Sequence, residues 1–322
     1  MGDKMAGGRR QPQRPTRYDG VIVSLRLLFL FQILVLGCVV AADPMVLFVS
    51  VVPQLEAVQR IGGDAVRVEA LVPAGASPEY YQPDARRLVT LSRSRALLCI
   101  GAPLEKALLP KVRKNFPGVA VIDLRQGMAL RQLTVGEVPE AEHDHADGHG
   151  HDHGHAAGEP DPHVWLSVKN MICHAENVIA ALCMLDPAGA DGYRARGRAY
   201  SDELRQLDER LQRLLAPLRG TAVMVFHPAF GYFLDAYGLE QLTVEHEGKE
   251  PGARQLAALL RLARAKRVRA IYVQPQFNER SARSLAQSLG VQVRAWDPLP
   301  DPYIAGLERM AAVLRDVQSD SK

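Results

Sequence analysis

Ala222-Val223-Met224-Val225-Phe226-His227-Pro228-Ala229-Phe230-Gly231-Tyr232-Phe233 is the stretch on which the fold turns. Residues 222–226 form an apolar run of strand length, and 230–237 read as a helix. His227 stands between them, at the carboxyl end of the strand, where parallel sheets collect their ligands. The rhythm continues downstream. Strands are predicted at 242–244, 269–273 and 291–295, and helices at 253–266, 281–289 and 303–318. It also runs upstream, with strands at 45–51, 66–71, 96–100 and 119–122. Helices are expected there at 54–61, ending at Gly62-Gly63, and at 84–94 and 104–115. Strands alternating with helices predict an α/β protein with a parallel sheet, flanked by helices, in each half.

Between the halves, 167–184 reads as a helix, and 191–218 carries Leu204, Leu207, Leu211, Leu214, Leu215 and Leu218 at helical spacing. That stripe predicts one long core helix that joins the two patterns. The domain layout read from the sequence is a leader over 1–42, an α/β lobe over 43–190, a linking helix over 191–218 and a second α/β lobe over 219–322.

Residues 134–160 interrupt the first lobe and have no apolar pattern. They contain His143, His145, His149, His151, His153 and His155 among Gly, Ala and Asp. A flexible string of neutral imidazoles collects borderline metals but cannot impose one geometry. His163 follows within Asp161-Pro162-His163-Val164-Trp165, where Pro162 stiffens the backbone and Trp165 offers a packing surface. His163 is therefore the candidate for a defined site, and the histidine run for an accessory collector. Other candidate ligands occupy strand ends: His227, Asp297 after 291–296, and Glu79 in the loop after 66–71.

The formal charge of +3 conceals an asymmetry. Residues 1–26 hold six Lys/Arg against two acids, and 27–42 hold no charge. From Asp43 onward 33 basic residues face 34 acidic ones. Nothing in that balance points to nucleic acid. The basic segment, the apolar run and Val40-Ala41-Ala42 predict an export signal. Val35-Leu36-Gly37-Cys38 approximates a lipidation site, which would anchor the chain through Cys38. The expected location is periplasmic or extracellular. Cys99, Cys173 and Cys183 are expected as buried free thiols, because an odd count without close spacing builds no disulfide framework.

Six motifs occur in order: Leu71-Val72-Pro73-Ala74-Gly75-Ala76-Ser77-Pro78, the histidine run with Asp161-Pro162-His163-Val164-Trp165-Leu166-Ser167, Phe226-His227-Pro228-Ala229-Phe230-Gly231-Tyr232-Phe233, Glu247-Gly248-Lys249-Glu250-Pro251, Pro275-Gln276-Phe277 and Asp297-Pro298-Leu299. Together they resemble the ZnuA-like solute-binding proteins of zinc and manganese ABC transporters. The resemblance implies two lobes joined by a rigid helix, with one divalent metal in the cleft and delivery to a permease and its ATPase. It implies His163, His227 and Asp297 as ligands, and a monomer that is not an enzyme. Glu79 stands where that family has a histidine, and Gln274 where it often has Glu. A Glu79, His163, His227 and Asp297 set suits Zn2+, and its added oxygen admits Mn2+. The histidine run favours zinc. Other readings are a secreted metal buffer or adhesin, and a zinc hydrolase with Glu79 as base. No HExxH pattern supports the hydrolase.

Overall fold

A computed structural model describes residues 1–2, 43–133, 160–245, 251–277 and 279–319. The leader residues 3–42 with Cys38, the histidine run and His246 lie outside the described residues. Both lobes belong to the unit Pro44–Lys322.

The first lobe is built on β1 (Met45–Val49), β2 (Val66–Ala70), β3 (Ala96–Cys99) and β4 (Ala120–Asp123) in the order β2-β1-β3-β4. The second uses β5 (Ala222–Val225), β6 (Glu240–Thr243), β7 (Ala270–Val273) and β8 (Gln292–Ala295) in the order β6-β5-β7-β8. Every pairing among these eight strands is parallel. The inner strands β3, β5 and β7 are buried along their whole length, whereas the edge strand β8 is largely exposed. Strands covered on both faces read as unbroken apolar runs, which is why they are legible in sequence.

The helices of the first lobe are α1 (Leu55–Gly62), α2 (Ala85–Ser92), α3 (Pro103–Asn115) and α4 (Val168–Leu185). Asp84 caps α2 by accepting from the Arg87 backbone N–H, and Ser167 caps α4 from Asn170. The linking helix α5 (Ala190–Leu215) ends in a single 3-10 turn at Ala216–Leu218. It buries Tyr193, Tyr200, Leu204, Leu207, Leu211 and Leu215 along one stripe. Gly197 brings α5 against α4: a Cβ there would sit 2.3 Å from the Ile179 side chain. The second lobe adds α6 (Gly231–Ala236), α7 (Ala253–Ala265), α8 (Arg280–Leu289) and α9 (Tyr303–Ser319).

Alternate residues of the second sheet serve two cores. Val223, Val225, Ala270 and Tyr272 join a cluster shared with the first lobe. Ala222, Met224, Ile271 and Val273 face an outer cluster with Leu259, Ala263, Leu285 and Ala286 of α7 and α8. The closing helix α9 does more than finish the second lobe. Its Ile304 N–H donates to Glu56 of α1 at 3.2 Å, and Tyr303 Oη donates to the Trp165 carbonyl at 2.8 Å. The shared core and α9 join the two lobes. Of the three thiols, Cys99 is buried, and Cys173 and Cys183 are half-buried at the flanks of α4's apolar stripe.

Candidate metal centre

Three loop segments, two after strands and one before a helix, meet between the lobes. Glu79 comes from the turn after β2, where its N–H donates to Ser77 Oγ at 3.3 Å. His163 precedes the single 3-10 turn Val164–Leu166 that leads into α4. His227 lies two residues beyond the end of β5. Among the described residues, one group of potential ligand atoms lies within 4.8 Å of one another: those of Glu79, His163 and His227. Glu79 Oε1 is 2.6 Å from His227 Nε2 and 3.6 Å from His163 Nε2. The side chains are 8%, 7% and 5% exposed for Glu79, His227 and His163.

Each imidazole is held from behind by a carboxylate. Asp161 Oδ1 is 2.8 Å from His163 Nδ1 and also accepts the His163 backbone N–H at 2.9 Å. Glu245 Oε2 is 2.8 Å from His227 Nδ1. A carboxylate accepts, so Nδ1 carries the proton in both rings, and each Nε2 lone pair of the neutral ring faces the common point. Aromatic rings fix the planes. Phe277 stacks on His227 with centroids 5.1 Å apart, and Trp165 meets His163 edge-on at 5.4 Å.

These surroundings set the charge. Burial pushes the His227 pKa down, but Glu79 and Glu245 outweigh it and raise the value to about 10. His163 is likewise raised: Asp161 and Glu79 overcome its burial. Burial alone would raise the Asp161 carboxyl, yet His163 and Arg131 hold it below the usual carboxylate range. Glu79, Asp161 and Glu245 bring three carboxylates, and Arg131 answers only Asp161. Once the imidazoles give up their extra protons, the three carboxylates outweigh Arg131 and the pocket attracts a cation.

The donor set fits a divalent ion. Ligand atoms about 2.0–2.1 Å from a tetrahedral zinc lie about 3.4 Å apart, close to the His163–Glu79 spacing of 3.6 Å. The 2.6 Å pair is the spacing of a shared proton. His227 Nε2 is buried and directed at Glu79, the side chain that also faces His163 Nε2.

Asp297 stands apart from this group. Its Oδ1 accepts from Gln276 Nε2 and from the Leu299 N–H, each at 3.0 Å. It lines an interlobe cavity of ≈ 390 Å³ with Gly75, Trp296, Asp301 and Arg309. Gln274 is fully buried and donates to the His227 carbonyl at 3.0 Å, a contact that a neutral amide makes without burying a charge.

Glu245 is not among the candidate residues that the sequence pattern singles out. The strand register could have found it. Val225 pairs with Thr243, so His227 and Glu245 leave adjacent strands at equal distance from the last pair. Asp161 was visible within its motif, but its role as the partner of His163 was not.

Loops bearing two carboxylate-backed imidazoles and a third carboxylate, between two α/β lobes with parallel sheets, are the architecture of a solute-binding protein for a cation. The chain belongs to the family of periplasmic component A of the zinc-uptake complex, ZnuA, matched over residues 47–317. A crystal structure of ZnuA superposes with a TM-score of 0.76 and 31% identity, over 86% of this chain and 100% of that one. The zinc-binding lipoprotein AdcA of Streptococcus pneumoniae is 26% identical over 249 residues, which are 77% of this chain but 48% of AdcA. The chain thus spans about half the length of that relative. The metal ABC transporter substrate-binding lipoprotein FimA of Streptococcus parasanguinis is 25% identical over 74% of each chain.

Proposed function

We propose that this protein captures a divalent metal ion, zinc first, outside the cytoplasm and delivers it to an ABC-type permease. The observation that carries the reading is the convergence of Glu79 Oε1, His163 Nε2 and His227 Nε2 within 4.8 Å, with each imidazole backed by its own carboxylate. Asp297 is the proposed fourth donor. Gln276 and Leu299 engage its Oδ1, which leaves Oδ2 as the oxygen offered to the metal. Two nitrogens and two oxygens suit zinc, and Glu79 is also a competent ligand for manganese. The zinc in the family's description and the histidine run favour zinc.

Delivery rests on kinship with FimA, a metal ABC transporter substrate-binding lipoprotein. The leader supports an extracytoplasmic location, either through lipidation at Cys38 or through cleavage after Ala42. Histidines 143–155 act as an accessory collector that loads the cleft.

Zinc titration of the mature chain tests this reading. One tight equivalent and several weak ones are expected. Deleting residues 143–155 removes only the weak ones, and His163→Ala removes the tight one. Loss of the tight equivalent in the deletion would place the main site on the histidine run and contradict the proposal.

A further inference from the structure

We propose that Arg131 is a positioning residue of the metal centre: it locks the carboxylate that orients His163 and ties it to the second lobe. This rests on the metal-binding reading above.

Asp161 uses its two oxygens for different tasks. Oδ1 accepts both the backbone N–H and Nδ1 of His163. Oδ2 accepts from Arg131 Nη1 at 2.7 Å, with the Asp161 side chain wholly buried and that of Arg131 16% exposed. A carboxylate gripped on one oxygen cannot rotate away with the other. Arg131 therefore fixes the plane from which Asp161 aims His163.

The backbone repeats the tie. The Asp161 N–H donates to the Arg131 carbonyl at 2.9 Å. The Tyr232 hydroxyl accepts from the Arg131 N–H at 3.0 Å and donates to the Asp161 carbonyl at 3.1 Å. Gln132 and Pro160 pair as an antiparallel bridge, so the two flanks of residues 134–159 are fastened together behind His163.

The same guanidinium crosses to the second lobe. Its Nε donates to Asp235 Oδ2 at 2.9 Å, and its carbon lies 5.8 Å from the centre of the Tyr232 ring. Tyr232 and Asp235 belong to α6. Gly231, at the start of that helix, makes room: a Cβ there would fall 1.7 Å from Arg131 Nη1. A planar fork serves two carboxylates in two directions at once, which a single ammonium cannot do.

The test compares the mature chain with Arg131→Met, Arg131→Lys, Asp161→Asn, Asp235→Asn and the Arg131→Met/Asp161→Asn double variant. Zinc affinity is read by chelator competition, ligand geometry by the visible bands of the cobalt-loaded protein, and folding by thermal melting. Arg131→Met should weaken zinc about ten- to a hundredfold, the usual cost of a lost outer-shell partner, and shift the cobalt bands. Arg131→Lys, which keeps the positive charge and serves if the methionine variant fails to fold, should shift the bands as well. The double variant should bind no more weakly than Asp161→Asn alone, and Asp235→Asn should leave the bands in place. Parental affinity and bands in both Arg131 variants would overturn the inference. So would additive losses in the double variant, or bands in Asp235→Asn displaced as far as in Arg131→Met. A parent chain that binds no metal overturns the metal-binding reading and this inference with it. A zinc-binding parent with indifferent Arg131 variants overturns this inference alone.

Discussion

His163, His227 and His174 are buried alike, at 4%, 5% and 0% exposure, yet their proton affinities move in opposite directions. In the cleft, carboxylates on both sides raise His163 and His227. Inside the first lobe, His174 Nε2 faces only the Gln54 amide at 3.2 Å, its Nδ1 has no hydrogen-bond partner, and burial drops its pKa to about 3. Depth therefore does not set the cleft histidines apart. The carboxylate behind Nδ1 does, by fixing the tautomer and enriching Nε2.

The largest contrast is expected on truncation. A four-ligand zinc site binds with about 10–16 kcal/mol, so one lost ligand costs about 3 kcal/mol, roughly a hundredfold in affinity. His227→Ala should show that loss in a chelator competition. His174→Leu should bind zinc as the parent does, and a matching loss there would erase the distinction between the two regions.

Glu245→Gln comes next. It keeps the shape but gives His227 a neutral neighbour, and zinc should weaken about ten- to a hundredfold. Calorimetric titration reads this directly. An unchanged affinity would reduce Glu245 to packing.

Proton release is a subtler probe. At pH 8 the metal-free cleft holds His227 protonated, since its pKa is about 10. Zinc needs the neutral ring, so uptake should release about one proton. Titrations in buffers of different ionisation heat count it, and zero release would mean that the ring is already neutral.

The smallest effect is on metal-free stability. His227 has a folded pKa of about 10 against an ordinary value of 6.5, so its stabilisation is complete below 6.5 and fades as pH rises through 10. His174 runs the other way. Its folded pKa near 3 resists protonation, so the fold loses stability as pH falls below 6.5 towards 3. Thermal melts with chelator present should be highest in the near-neutral range. His174→Leu should flatten only the acid side, and an alkaline change in that variant would contradict the assignment.

Much of this was legible in sequence because parallel strands buried on both faces leave unbroken apolar runs. The 222–226 stretch and its helix were placed from pattern alone, and β5 runs from Ala222 to Val225. The stripe on α5 was equally visible, although the helix proper stops at Leu215, where Pro217 follows within a 3-10 turn. What stayed hidden depends on contacts between distant segments. Glu245 meets His227 only through the β5–β6 register, and Arg131 meets Asp235 across 104 residues. His174 shows the converse. A histidine within a predicted helix can face either core or solvent, and the contact with Gln54 shows that it packs.

A crystal structure of the zinc-loaded chain, with anomalous data at the zinc edge, tests the central claim most directly. One strong peak should lie about 2.0–2.2 Å from His163 Nε2, His227 Nε2 and a Glu79 carboxylate oxygen. A peak held only by histidines 143–155, with none between His163 and His227, would contradict it.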